Sequence, residues 1–477
     1  MSEKQKIAEL VDRKKGTFIG VSDRVWGYAE TRFDLVKSAD EFCNVLKAEG
    51  FSVERGCGGM ENAFIATFGQ GKPVIGILAE YDALPNISQV EGLPEKRMLL
   101  EGGAGHGCGH NLLGAGALAG AVAIKDYMSE KNIAGTIKLF GCPAEESGSG
   151  KAFMARAGLF DGLDSLLTWH PMTETSIWGF SSLANYQVYF QFKGISAHAA
   201  AAPEHGRSAL DAAELMSVGV NYLREHIIPE ARIHYAYIDA GGISPNVVQP
   251  TSKVLYFIRA PRSSQVKGIY ERVVKVAEGA AHMTETEMEV IWDSACAEYI
   301  INETLGRAMY ANMEALGPIA YTDEEIEFAR KFTSALGEGT QNMLYVKLKG
   351  IFPNLDEDTL RKMAAKPIQD DIYPYSMTEK AMAGSTDVGD ASWKAPTSQL
   401  LTACFPAGTV PHSWQYVACG KSSMAHKGML YAGKVIAMTA LDLLENRELV
   451  EKAKKEHSER LSGEQYYCPI PPEVHPR

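Results

Sequence analysis

The chain has 477 residues, of which 45% are hydrophobic and 22% charged, and its formal net charge is −12. A single hydrophobic core stops growing at roughly 250–300 residues, so this length predicts at least two domains in a globular protein. The negative charge, with no cluster of Lys and Arg, argues against a protein that binds nucleic acid.

The sequence contains no apolar run long enough to cross a membrane, and its first residues lack the basic start and apolar stretch of a secretory signal. Its eight cysteines are scattered without the close spacings of a disulfide framework. Together these features predict a cytoplasmic protein with reduced thiols and no membrane partner.

The first part of the chain has the pattern of an α/β fold. Apolar runs at 72–79 and 135–141, each bounded by turn residues, predict two buried strands. Between them, the Ala- and Gly-rich stretch 111–127 predicts a helix that packs closely on a sheet. Strand, helix, strand is the order of an α/β unit, and we assign residues 1–184 to the first part of the main α/β domain.

The pattern changes near residue 185, where apolar and polar residues begin to alternate. The predicted elements are strand 186–192, helix 207–226, strands 234–240 and 253–259, helix 264–282 and strand 286–294. The order β–α–β–β–α–β is that of a split, ferredoxin-like unit. We therefore predict a separate inserted domain over residues 185–298.

The remaining residues, 299–477, are predicted to complete the main α/β domain. Residues 320–380 lack clear periodicity and are interpreted as an excursion whose role the sequence leaves open. The chain is predicted to close with a helix at 427–445.

Cys108 and His110 lie two residues apart in the glycine-rich segment GHGCGHN, residues 105–111. A thiolate and an imidazole suit zinc, or other divalent metals when carboxylates are added. Two other interpretations stay open, namely that Cys108 is a small buried hydrophobic residue or that it is a nucleophile activated by a histidine.

Glu145 and Glu146 follow the predicted strand 135–141 directly, in the segment CPAEESG. Ligands of open α/β sheets bind at the carboxyl ends of strands. Adjacent carboxylates are tolerated where a metal neutralises one of them and the other serves as a general base. The alternative is a solvated acidic turn.

Two further histidines are candidate ligands. His170 ends the apolar segment LLTWHP, although a single histidine there is more often a core residue. His412 lies in the Gly- and Pro-bounded loop GTVPHSW, and we prefer it over His426, which is at a predicted helix start. Three strand ends or turns that all carry metal-competent side chains are less easily explained by chance than any one of them.

These motifs resemble the aminoacylase/carboxypeptidase family of dinuclear metallopeptidases, in its amidohydrolase branch. The likeness extends from about residue 30 to the final helix. It implies a mixed-sheet α/β catalytic domain with an inserted ferredoxin-like domain that acts as a lid and in dimerisation. It also implies Glu145 as the base and these metal ligands: Cys108, His110, Glu146, His170 and His412.

The segment LAEYDALP occupies the place of the family's Asp-x-Asp or His-x-Asp element, with Asp82 as the matching carboxylate and Glu80 as a departure. The resemblance implies that Asp82 orients a ligand. Asn111 also departs from the Asp that usually follows Cys-Gly-His in the family.

The inserted domain carries two segments that resemble the family's lid motifs, GISAHAA with His198 and GGISPNVV with Asn246. In the family these side chains reach an active site, often that of the opposite subunit, and hold the substrate and the oxyanion. Arg259 ends a predicted strand, where its guanidinium could bind a substrate carboxylate or form a structural ion pair.

The resemblance implies two divalent metal ions, zinc or manganese with cobalt as a further candidate, bridged by Cys108. It implies hydrolysis of the amide bond of an N-acyl amino acid, foremost an aminobenzoyl-glutamate-like compound. N-acetyl or N-benzoyl amino acids and dipeptides are the alternative small-molecule substrates. A homodimer or a heteromer with a homologous subunit is expected. The rivals are a cysteine hydrolase that uses Cys108 and a binding or regulatory subunit without activity of its own.

Overall fold

The structure is a computed structural model that describes residues 2–334, 336 and 339–477. The elements of its first part are α1 (Glu3–Arg13), α2 (Lys15–Tyr28), α3 (Val36–Ala48), β1 (Ser52–Arg55), β2 (Phe64–Gln70), β3 (Val74–Glu80), α4 (His110–Lys131), β4 (Gly135–Cys142), α5 (Gly150–Arg156), β5 (Ser165–Met172) and β6 (Ser176–Ile177). The strands predicted at 72–79 and 135–141 correspond to β3 and β4. The helix predicted at 111–127 is α4, which runs four residues further.

The second group of elements has the predicted β–α–β–β–α–β order. It consists of β7 (Ala184–Lys193), α6 (Ala209–Leu223), β8 (Arg232–Asp239), β9 (Thr251–Ala260), α7 (Ser263–Thr284) and β10 (Glu287–Cys296).

The last group is mostly helical. It consists of α8 (Glu303–Leu316), α9 (Asp323–Thr333), α10 (Gly339–Ile351), α11 (Glu357–Ala364), α12 (Val388–Ser392), β11 (Thr397–Ala403), α13 (Trp414–Cys419), α14 (Ser423–Glu445) and α15 (Arg447–Leu461). The helix predicted at 427–445 is α14, but the expectation that it closes the chain is wrong because α15 follows it. In α15 only Val450, Ala453 and His457 are buried, so its charged sequence carries little of the apolar periodicity that predicts a helix.

The larger sheet has seven strands in the order β1-β2-β4-β3-β5-β11-β6. Its centre is parallel, since β3 pairs in parallel with β4 and β5, and β5 with β11. The outer pairs β1–β2, β2–β4 and β11–β6 are antiparallel. This mixed sheet with helices confirms the predicted α/β class.

Helix α4 is buried along most of its length and packs against β3 and α14. The Ala and Gly residues that suggested close packing allow this, because small side chains let helix and sheet approach each other. His110, the first residue of α4, lies beside Glu80 at the carboxyl end of β3, with 3.3 Å between Nε2 and Oε2.

The smaller sheet is antiparallel, in the order β10-β7-β9-β8. Helices α6 and α7 pack against each other and against β7 and β9. Strand order and connections are those of a ferredoxin-like unit. The domain limits at 184 and 298, and the lid and dimerisation roles, stay predictions.

Residues 320–380, the predicted excursion, contain α9, α10 and α11. Helices α10 and α11 share a small cluster of buried residues, among them Leu348, Leu360 and Met363. The hydroxyl of Tyr321 donates to the carbonyl of Ala403 at 2.6 Å, which joins this region to the end of β11. In the described ranges, no helix has the length and hydropathy to cross a membrane.

Candidate metal centre

The candidate site lies at the carboxyl ends of the parallel strands. Glu80 is the last residue of β3, Glu145 follows the end of β4 by three residues, and His170 lies near the end of β5. Parallel strands place their carboxyl ends along one edge of a sheet. Side chains from distant parts of the sequence therefore meet there.

Cys108, His110 and His170 form one group of potential ligands. Each offers an atom within 4.8 Å of the others, and Cys108 Sγ lies 3.4 Å from His170 Nε2. Gly109, the residue immediately before α4, has a φ of 77°, and a Cβ at this position would lie 2.8 Å from Pro171. Glycine is thus required for the turn that brings Cys108 and His110 close to the end of β5.

Cys108, Glu146 and His412 form a second group, again with atoms within 4.8 Å of one another. His412 Nε2 lies 3.2 Å from Glu146 Oε2, and the backbone N–H of His412 donates to the carbonyl of Gly107 at 2.8 Å. His412 adopts a φ of 60°, a left-handed conformation that costs energy in a residue other than glycine and is concentrated at functional sites. The two groups share Cys108.

Two buried polar atoms in these groups point to a missing partner. His110 Nε2 and Glu146 Oε1 have no hydrogen-bond partner among the described residues, although buried polar groups are nearly always bonded. Burial, together with the positive charge of His110, lowers the pKa of His170 to about 4, so its ring is in the neutral form that binds metals. The donor set fits two divalent cations that share a thiolate.

Asp82 contacts both groups without belonging to either. Its Oδ1 lies 2.9 Å from His110 Nδ1, and its Oδ2 accepts the backbone N–H of Glu146 at 3.0 Å. Because Nδ1 of His110 is hydrogen-bonded to Asp82, Nε2 is the ring nitrogen available to an ion. The geometry is that of a carboxylate that orients a ligand.

Glu145 is adjacent to both groups. Its Oε2 lies 4.0 Å from His110 Nε2, and Ala144 before it has a φ of 59°. Burial, together with the negative charges of Glu80 and Glu146, raises the pKa of Glu145 well above its ordinary value. A carboxylate with a raised pKa is suited to accept a proton and return it.

The surroundings of Cys108 are unfavourable for a free nucleophilic cysteine. Burial, together with the negative charge of Glu146, raises the pKa of the Cys108 thiol well above its ordinary value. Nucleophilic cysteines have lowered pKa values in electropositive surroundings. A cation between the two groups would supply the positive charge that the thiolate needs.

The predicted substrate-binding residues belong to the smaller sheet and its loops. His198 and Asn246 are exposed on neighbouring loops of the smaller sheet, where the backbone N–H of Ala199 donates to the Asn246 carbonyl at 3.0 Å. Arg259 is half-buried near the end of β9. Among the described residues, no hydrogen bond or ion pair joins any of the three to the five predicted ligands.

His426, the alternative to His412, lies in α14. Its Nε2 is 2.9 Å from Asp23 Oδ1, and it is in none of the potential ligand groups found in the described ranges. The geometry therefore favours His412, as the sequence did.

A further group escaped the sequence analysis. Glu80, treated only as a departure from a motif, lies with His110 and Glu145 in a third set of potential ligands. Lys151 and Asp387, neither of them predicted, are fully buried beside Glu80. The sequence offered little indication of this cluster. It shows one lysine in the glycine-rich segment after Glu145 and one aspartate in the segment GSTDVGD.

The chain is similar to known proteins in both sequence and fold. Residues 76–365 match the family profile described as Peptidase family M20/M25/M40. The chain is 44% identical over 474 residues to the B subunit of p-aminobenzoyl-glutamate hydrolase from Escherichia coli K12, and the match covers 98% of both chains. It is 26% identical to the Xaa-Arg dipeptidase of Mus musculus, over 97% of this chain and 94% of the dipeptidase.

Among solved structures, the chain is similar to the YXEP protein of Bacillus subtilis, described as a dinuclear metal binding peptidase from the M20 family. The TM-score is 0.56 with 17% sequence identity, over 91% of this chain and 99% of that one. At this identity the likeness supports the fold.

Proposed function

The chain belongs to peptidase family M20/M25/M40, and from this premise we propose that it hydrolyses the amide bond of an N-acyl amino acid, specifically an aminobenzoyl-glutamate-like compound. The family and its hydrolase relatives make the chain a metal-dependent amidohydrolase or peptidase. The observation that carries the proposal is the convergence of two ligand groups on Cys108, with His110 Nε2 and Glu146 Oε1 buried and without a hydrogen-bond partner among the described residues.

Two divalent ions would be held by the two groups, with Cys108 common to both. Such ions polarise a carbonyl oxygen and lower the pKa of a water from 15.7 towards about 7. Zinc, manganese and cobalt all suit a set of thiolate, imidazole and carboxylate ligands. His110 is held for this task by Asp82 at 2.9 Å.

Glu145 is proposed to take the proton of the attacking water and to deliver it to the leaving amine. Its carboxylate lies next to the ligands, but Glu145 belongs to neither of the two ligand groups that contain Cys108. Burial and neighbouring carboxylates raise the pKa of Glu145, which increases its affinity for the proton that it would take from the water.

Arg259 is proposed to bind the carboxylate of the amino-acid part of the substrate. Its guanidinium stacks over Phe257 with the central carbon 4.0 Å from the ring centroid. One terminal nitrogen donates to the carbonyl of Ala383, while its buried Nε has no partner among the described residues. A planar guanidinium with free donors is suited to a carboxylate.

The proposed partner is a second subunit of the same family, either another copy of this chain or a homologue. The Escherichia coli relative is named as one subunit of its hydrolase. Strand β8 is an edge strand, and apolar side chains on β8 and α6 form an exposed surface, comprising Leu215, Val218, Tyr222, Tyr235, Tyr237 and Ile238. Exposed apolar patches of this kind mark protein interfaces. His198 and Asn246, exposed on loops of the same sheet, would then act on the partner's site.

The proposed location is the cytoplasm. All eight cysteines are unpaired in the structure, and seven of them are buried. Proteins with many free cysteines are typical of reducing compartments.

The test combines elemental analysis with a substrate panel. The purified protein should contain two equivalents of a transition metal and should hydrolyse p-aminobenzoyl-glutamate faster than N-acetyl amino acids, N-benzoyl amino acids or dipeptides. Glu145→Gln should lower kcat by roughly 10²–10⁴-fold with both ions retained. Loss of an ion in this variant would make Glu145 a ligand, and a preference for dipeptides would overturn the proposed substrate class.

A further inference from the structure

A second charged cluster lies directly beside the candidate metal centre. Lys151 is fully buried, and its Nζ lies 2.7 Å from Glu80 Oε1 and 2.5 Å from Asp387 Oδ1. The backbone N–H of Lys151 also donates to the other oxygen of Asp387 at 2.8 Å. The cluster joins the end of β3, the start of α5 and the residue before α12.

Glu80 connects this cluster to the ligands. Its second oxygen, Oε2, lies 3.3 Å from His110 Nε2, which is the ring nitrogen that Asp82 leaves free. Two ligand atoms bound at about 2.1 Å to one tetrahedral ion are separated by roughly this distance. One oxygen of the Glu80 carboxylate thus pairs with Lys151, and the other lies next to the position that an ion bound to His110 would occupy.

The positive charge of Lys151 is needed to keep the carboxylates of Glu80 and Asp387 close to each other. Within the described ranges it is the one Lys or Arg that pairs with Glu80 or with Asp387. Without its charge, the buried carboxylates of Glu80 and Asp387 would lie together beside Glu145, and repulsion favours protonation or rotation of one of them. A buried lysine is itself costly unless it is fully paired, so the cluster is stable as a unit.

We propose that Lys151 is a positioning residue that acts through Glu80. Its charge holds the Glu80 carboxylate against the ion-facing nitrogen of His110 and thereby strengthens binding of the ion at Cys108 and His110. This inference rests on the proposed two-metal function. A lysine that served the fold alone would affect stability without any specific effect on the ion.

The experiment is a double-mutant cycle on metal affinity, with Lys151→Met, Glu80→Gln and the double variant. Each protein is stripped and reloaded with cobalt or zinc. Competition with a chromophoric chelator then gives the affinity for each ion, and the absorption spectrum of the cobalt form reports the ligand geometry. Each single variant should weaken binding of one ion by about 10–100-fold, with a changed cobalt spectrum. The double variant should lose no more than either single one, because both act through the same carboxylate.

Lys125→Met is the matched control. Lys125 is a buried lysine of α4 that pairs with two carboxylates, Glu49 at 2.9 Å and Asp126. It is fifteen residues along α4 from His110. Its loss should lower the melting temperature while leaving both metal affinities unchanged.

Three outcomes would overturn the inference. One is wild-type affinity for both ions in Lys151→Met, and another is a loss in the double variant equal to the two single losses combined. If Lys151→Met does not fold, Glu80→Gln decides, and unchanged metal affinity in that variant refutes the proposal. Absence of bound metal in the wild-type protein would refute the proposed function itself, which separates the two failures.

Discussion

Asp82 illustrates how one residue supports several ligands. Its two oxygens bind the His110 ring at 2.9 Å and the backbone N–H of Glu146 at 3.0 Å. It therefore fixes a member of each ligand group with one carboxylate. Residues that orient ligands in this way contribute to metal affinity without touching the metal.

Asp82→Asn should lower metal affinity by about 10–100-fold. The carboxylate of Asp82 accepts hydrogen bonds from two N–H groups, whereas an amide has only one acceptor oxygen. The NH₂ of asparagine would therefore face one of these N–H donors, and that hydrogen bond would be lost. Chelator competition on the purified variant measures the effect. Asp164→Asn is the control, since Asp164 is also buried and accepts a backbone N–H, from Val74 at 2.8 Å. Equal metal affinity in Asp82→Asn and the wild type would contradict this role.

At the scale of elements, the site depends on how loops are anchored. The loop before α13 carries His412, and its backbone N–H bonds to Gly107. A Cβ on Gly107 would lie 3.1 Å from Leu84 and 3.2 Å from Ile87, so the absence of a side chain there permits close packing against the segment that follows β3. Helix α12 is anchored differently, through Asp390, which accepts the Tyr466 hydroxyl at 2.7 Å and the Ala297 N–H at 3.1 Å.

Asp390→Asn should make the protein more stable than the wild type at neutral pH. Burial raises the pKa of Asp390 from 3.8 to about 8, so between these values the folded chain binds a proton that the unfolded chain has released. Wild-type stability therefore falls as pH rises through this window, by up to about 1.4 kcal/mol per pH unit. Asparagine resembles the protonated acid and removes this dependence.

Urea unfolding at pH 5 and pH 7 measures this effect. The advantage of Asp390→Asn in free energy of unfolding should grow between the two values and level off above about pH 8. A variant that is destabilised by the same amount at both pH values would show that Asp390 is charged in the folded protein.

At the scale of the whole molecule, the candidate metal centre joins four segments that are far apart in the sequence. Cys108 lies before α4, Glu146 after β4, His170 in β5 and His412 before α13. Ions bound to these side chains would cross-link four segments of the fold. Ligands that bind the folded state alone raise its stability.

Metal removal should therefore lower the melting temperature as well as the activity. At a free-ion concentration one hundred times the dissociation constant, each bound ion adds about 2.7 kcal/mol of stability. Thermal unfolding of stripped and reloaded protein measures the difference, and activity should return on reloading. Full activity in a demonstrably metal-free sample would instead favour the thiol mechanism at Cys108.

Assembly is the other property of the whole molecule. Tyr222→Asp should weaken association through the exposed surface of α6 and β8, because it places a charge on an apolar patch where Tyr222 is 73% exposed. Analytical ultracentrifugation of the variant measures the subunit mass. Lys275→Asp, on α7, is a charge-changing control that should leave assembly intact. An unchanged sedimentation coefficient for Tyr222→Asp would exclude this surface as the interface.

The sequence by itself determined the α/β class, the order of the β–α–β–β–α–β elements over residues 184–296 and the strand-end positions of Glu146 and His170. These depend on local patterns, since apolar periodicity predicts each strand and the residues that follow its end are next to it in the chain. The resemblance to a family, now confirmed, rested on the same short motifs.

Only the tertiary structure decided the sheet order, the presence of α15 and the cluster of Lys151, Glu80 and Asp387. The physical reason is that burial and charge pairing arise between residues far apart along the chain. In the sequence, a lysine in a glycine-rich segment is expected to be solvated, whereas the fold places the ends of β3 and α12 beside Lys151. The energy of such a residue depends on neighbours that no local pattern contains.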